Sequence, residues 1–118
     1  MVAIETRGRF LVATVSGELD HVQSERLRAQ IDAGFEKSAC KHIVFDMAGV
    51  GFMDSSGIGV IIGRFKNAEK RGGQVVLAGM SDSLSRLYEI SGLAKIIARA
   101  VDVQTAIKML EGGKTSGK

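Results

Sequence analysis

Asp54, Ser55, Ser56 and Gly57 put an acid, two hydroxyls and a flexible backbone position at one point of the chain, inside "FMDSSGIGVIIGRF" (52–65). Such a group can serve as an activated nucleophile, a phosphate cradle, a phospho-acceptor or a helix cap. An elbow of the G-x-S-x-G type needs glycine two residues before the serine. Here Met53 precedes Ser55 by two and Asp54 precedes Ser56 by two, so that pattern is absent. A triad also needs a histidine base. The two histidines, His21 and His42, read as surface residues at the ends of elements, which leaves hydrolysis without support.

The free N–H groups of a helix start at Ser55–Gly59 would favour an anion. No lysine follows these glycines, so the G-x-x-x-x-G-K-[ST] loop fails there. Gly112, Gly117 and Lys118 reproduce its spacing in "GGKTSGK", but no Ser or Thr follows and no strand leads in. That match reads as chance. One cysteine, Cys40, and two scattered histidines supply no metal-ligand cluster. Asp46 could imitate the phospho-acceptor of a receiver domain. Such a domain also needs an acidic pair after its first strand, and "GRFLVA" near residue 10 has none.

A phospho-acceptor and a plain cap are left. Asp and Ser caps contribute about 0.5–2 kcal/mol each, but one cap needs one side chain. Gly57 and Gly59 then cost about 1 kcal/mol apiece against alanine inside a helix. Two glycines imply close approach by another molecule or another element. The residues alone leave both readings open.

The elements that must position this junction follow from periodicity. "VAIETRGRFLVATVSGEL" alternates about Gly8 and predicts a hairpin. Asp20 and Gln23 have capping-box spacing, and Leu27, Ile31, Gly34 and Phe35 share one face of a helix ending near Lys37–Ser38. "HIVFDMAG" predicts a short buried strand. Ile58, Ile61, Ile62, Phe65 and Ala68 form a helical stripe, with Arg64, Lys66, Asn67, Lys70 and Arg71 off it, before the Gly72–Gly73 stop. "QVVLAG" predicts a strand, "SDSLSRLYEISG" a helix capped by Ser81, "AKIIAR" a last strand, and "DVQTAIKMLEGG" a helix capped by Asp102. The order β-β-α-β-α-β-α-β-α implies an α/β domain with one partly parallel sheet and helices packed on it.

With 118 residues, 45% hydrophobic and 25% charged, the chain fits one domain with a real core. Cys40 has no partner for an internal disulfide and reads as a small semi-buried hydrophobe. The net charge is +3 with signs interspersed, and aromatics are only 5%. The cluster Arg64, Lys66, Lys70 and Arg71 therefore lacks the base-stacking platform of a nucleic-acid binder. The N-terminus lacks the charged start and apolar run of a signal peptide, and no apolar stretch approaches the roughly 18 residues of a membrane span. The expectation is a cytoplasmic protein.

"GELDH" (17–21), "FMDSSGIGVIIGRFK" (52–66) and "LSRLYEISGLAKII" (84–97) closely resemble the anti-sigma factor antagonists, single-domain bacterial proteins of the STAS family. The sporulation type that controls sigma-F is the most similar, and the resemblance runs from about Ile4 to the last helix. It implies the STAS fold: an N-terminal β-hairpin, then β-α repeats, with a mixed sheet of four to five strands. It implies one domain over 1–111; the polar tail at 112–118, for which the family offers no counterpart, is expected to be disordered from its composition. It implies a binding protein rather than an enzyme, without cofactor or metal, monomeric when free, with no nucleic-acid or membrane partner. The unphosphorylated form would bind an anti-sigma factor that is also an ATP-dependent serine kinase, releasing the sigma factor. Phosphorylation of the second serine, Ser56, would end that binding, and a phosphatase would reset it. Ser55 stands second as acceptor. The partner-binding residues expected are Asp20, Asp54, Ser55 and Ser56, with Asp20 and Asp54 also readable as caps, and by proximity Gly57 and Ile58, which are also readable as core packing. The alternative is a constitutive STAS scaffold, or a domain sensing an anion or nucleotide without phosphotransfer.

Overall fold

The computed structural model describes residues 1–112. The expectation for the tail therefore lies, Gly112 apart, outside the described residues.

Strands β1 (Val2–Arg7) and β2 (Phe10–Leu19) form the expected hairpin. Gly8 turns it at φ +60°, a backbone conformation that costs glycine little. Then follow α1 (His21–Glu36), β3 (His42–Met53), α2 (Ser55–Lys70), β4 (Val75–Ala78), α3 (Asp82–Ile90), a 3-10 turn at Leu93–Lys95, β5 (Ala98–Ala100) and α4 (Val103–Glu111). The sheet runs β1-β2-β3-β4-β5, antiparallel only between β1 and β2.

Strand alternation splits the core. Leu11, Ala13, Ile43, Phe45, Val75 and Leu77 face α1, α2 and α3. Val12, Val44 and Val76 point the other way, onto Ala106 and Leu110 of α4. Both faces of β3 and β4 are thus covered, which is why their sequences are continuous apolar runs. No helix among the described residues is long and apolar enough to cross a membrane.

Four local expectations need correction. The last strand covers 98–100 rather than 94–99, because Gly92 at φ +88° turns the chain into the 3-10 turn first. β3 runs on to Met53, well past the glycine-containing end read from sequence. His42 is not a surface residue. Its ring stacks on Phe10 at 5.3 Å, and its Nδ1 accepts the Gln74 N–H at 3.1 Å. Arg64 is likewise buried rather than off the apolar stripe, with its Nε 3.1 Å from Asp32 Oδ1 on α1.

The C-terminal ends of α1 and α2 are tied by one side chain. The Arg71 guanidinium donates to the carbonyls of Phe35 (3.0 Å) and Cys40 (2.7 Å) and lies over the Phe35 ring at 3.8 Å. Carbonyls in the last turn of α1 and in the loop that follows it thereby gain a donor from the end of the next helix.

Candidate functional site

The site begins as a matter of strand register. β2 and β3 run parallel and stay paired to their last residues, with Leu19 opposite Met53. Between the pairs Thr14–Asp46 and Leu19–Met53, β3 holds two more residues than β2, absorbed as two register shifts. Such shifts are bulges, which bend a strand and re-aim the residues beyond the bend. The next residue on each chain, Asp20 and Asp54, caps a helix, and the Asp54 N–H donates to the Leu19 carbonyl at 3.3 Å. α1 and α2 therefore start side by side.

Each cap has its own geometry. Asp20 Oδ1 accepts the Gln23 N–H at 3.0 Å. The Gln23 amide does not return the bond to Asp20, as a capping box would; it donates to the Ser16 carbonyl at 3.0 Å. Asp54 Oδ1 accepts two backbone N–H groups, from Ser56 at 2.9 Å and Gly57 at 3.3 Å. Ser55 and Ser56 are thus the first helical residues of α2, which begins at Ser55. Ser55 is exposed and Ser56 half-buried. Ser56 Oγ lies 3.4 Å from His21 Nδ1 on the first turn of α1.

Asp20, Asp54, Ser55 and Ser56 therefore gather at one corner, although 34 residues separate the two aspartates. Gly57 belongs beneath that corner rather than on it. It is buried against Met53 and Leu19, so the close approach its glycine signals is by another element. Ile58 is half-buried against the core and Met53 only 4% exposed. Gly59 meets nothing within 4 Å.

Three neighbours of the corner are not among the site residues read from sequence. His21 reads there only as a terminal surface residue. Val22, 62% exposed, follows it on α1, and Phe52, 49% exposed, precedes Met53 on β3. Val22 has a legible signal, since it lies off the α1 apolar stripe. Phe52 has none, because the bulges reset the alternation of β3.

A serine 3.4 Å from a histidine invites a hydrolytic reading. A hydrolase also needs backbone donors aimed at the developing oxyanion. Here the N–H groups of Ser56 and Gly57, the natural donors, are both taken by Asp54. The same occupancy argues against a backbone cradle for a free anion or nucleotide. What the corner does offer is a partly exposed hydroxyl, fixed in position between an aspartate cap and an imidazole.

The STAS domain family model matches residues 1–107 of this chain. The anti-sigma F factor antagonist of Paenibacillus polymyxa is 38% identical over 96 residues, covering 81% of this chain and 82% of that protein. The solved structure of the anti-sigma factor antagonist SpoIIAA in its unphosphorylated form is similar with a TM-score of 0.83, at 30% identity over 95% of this chain and 97% of that one. The phosphorylated form of the Bacillus cell fate determinant SpoIIAA is similar with a TM-score of 0.72, at 30% identity over 92% of this chain and 97% of that one.

Proposed function

The chain belongs to the STAS domain family, and from that premise we propose that it is a phosphorylation-controlled anti-sigma factor antagonist. Its unphosphorylated form binds an anti-sigma factor and frees the sigma factor. The partner is also an ATP-dependent serine kinase. It forms a bond from Ser56 Oγ to the γ-phosphorus and breaks the one to the bridging oxygen, so ADP leaves and the hydroxyl proton passes to the kinase. A phosphatase reverses the modification. The role is binding rather than catalysis.

One observation carries the reading: Ser56 is held by its backbone on Asp54 and by its hydroxyl beside His21, yet stays partly exposed. Around it gather Asp20, Asp54 and Ser55, and the exposed apolar residues Val22 and Phe52 adjoin these positions in sequence, a mixed apolar and acidic region suited to a protein partner. Phosphate adds about −1.5 to −2 charge at pH 7. The fold tolerates this at the start of a helix, where the dipole favours anions. A docked interface does not, because an unmatched charge buried there costs several kcal/mol. About 3 kcal/mol already lowers affinity more than a hundredfold.

The test uses wild type, Ser55→Ala, Ser56→Ala and Ser56→Asp as baits for the source bacterium's proteins with ADP present, followed by ATP treatment of the retained proteins. An ATPase-type kinase should be held by every bait except Ser56→Asp. It should modify wild type and Ser55→Ala at residue 56 and leave Ser56→Ala bound and unmodified. Equal retention of the same proteins on wild type and Ser56→Asp would sink the reading.

A further inference from the structure

The corner around Ser56 is poor in positive charge. The residues that the structure gathers with Ser56 carry two carboxylates, Asp20 and Asp54, and one imidazole, His21. His21 is their one side chain able to become a cation. The Met1 ammonium lies on the same side but is anchored on the Ser16 carbonyl, which it shares with Gln23. The backbone offers a phosphate on Ser56 little help, because the N–H groups of Ser56 and Gly57 already serve Asp54. An anion attached at Ser56 Oγ thus meets a carboxylate beneath it and one imidazole beside it, 3.4 Å from the oxygen that carries it. Neutral imidazole with its proton on Nε2 accepts the Ser56 O–H at Nδ1; imidazolium donates from both nitrogens. The same ring nitrogen can therefore accept from the hydroxyl before modification and donate to a phosphate oxygen afterwards.

We propose that His21 is the positioning residue of the phosphorylated form: its imidazolium pairs with the phosphate on Ser56 and pins that charge over the start of α1, on the surface where the partner docks. The inference rests on Ser56 being the acceptor. Glu25 stands one turn along α1 from His21, but its carboxylate is already paired with Arg28 at 2.8 Å, which leaves the ring free for the phosphate. Charge-assisted bonds to phosphate are roughly twice as strong as neutral ones, which suits one donor to hold the group.

Phosphoserine can be placed at residue 56 of the full chain during translation, with no kinase, and its second ionisation followed by phosphorus NMR. The midpoint should lie about half a pH unit or more lower in the wild-type chain than in His21→Gln, since a nearby cation favours the dianion. His21→Lys, which restores a cation without the ring, should return most of that difference. Coinciding midpoints in all three chains would overturn the proposal. That outcome is separate from failure of the acceptor assignment, which would appear as kinase-treated wild type carrying no phosphate on Ser56.

Discussion

A Cβ built on Gly57 would stand 2.6 Å from Met53 Cγ and 3.0 Å from Leu19 Cγ. The first turn of α2 is thereby seated directly on the last residues of β2 and β3, the pair that brings the two helix starts together. Gly57→Ala gains up to about 1 kcal/mol of helix propensity, but pushing buried side chains aside costs about 1–3 kcal/mol. It should lose stability on balance. Gly59→Ala, with open space around it, should gain about 0.5–1 kcal/mol. Urea unfolding of the two variants should move the midpoint in opposite directions.

Asp54 gives α2 its only side-chain cap, through two N–H groups on one oxygen. Asp54→Ala should cost about 0.5–2 kcal/mol. Asp54→Asn keeps the acceptor and should stay within about 0.5 kcal/mol of the parent, since Asn and Asp cap about equally. Both remove the charge, so partner affinity measured on the same pair separates the two roles. A loss in both variants assigns the charge to binding; a loss only in Asp54→Ala assigns the geometry.

His42 makes stability depend on pH. Burial is the chief cause that lowers its pKa from the ordinary 6.5, with Lys41 and Arg9 adding to it. Below 6.5 the unfolded chain takes up a proton that the folded chain still refuses, so the unfolded state binds more protons and stability rises with pH. This contribution is present above 6.5 and is lost as the pH falls from there towards the lowered folded value. Protonation would also end the bond that Nδ1 accepts from Gln74. Thermal unfolding at stepped pH should show this slope in the parent and a flatter one in His42→Gln.

Phe52 and Val22 adjoin the Asp20 and Asp54 caps in sequence and expose apolar surface without serving the core. Phe52→Ser and Val22→Ser should therefore leave stability within about 0.5 kcal/mol, as surface changes do. If they anchor the partner, at least one should weaken binding tenfold or more, about 1.4 kcal/mol. Calorimetric titration against the purified anti-sigma factor checks this, and unchanged affinity in both places the docking surface elsewhere.

Most of the fold was legible because it rests on local periodicity. The Gly8 hairpin, the stripe Leu27, Ile31 and Phe35 of α1, and the caps Asp20, Ser81 and Asp102 all depend on residues within a few positions of one another. Boundaries failed where a distant contact intervened. β3 outruns its apolar stretch because pairing with β2 carries it through two bulges, and β5 starts late because of the turn at Gly92. Arg64 and His42 looked like surface residues by type, yet each is buried on a partner from another element, Asp32 and Gln74.

The sequence by itself determined that an acid and two serines would begin a helix after a strand, since strand pattern, cap and glycine stop are written within one stretch of chain. The tertiary structure alone decided what surrounds them. The parallel register that sets Leu19 opposite Met53 puts Asp20 beside Asp54 and His21 beside Ser56. That register depends on how many residues two bulges absorb, which hydrogen bonding between strands far apart in sequence determines. It also decided between the two readings open for Gly57, in favour of close approach by another element, because only the assembled core shows what stands where a side chain would go.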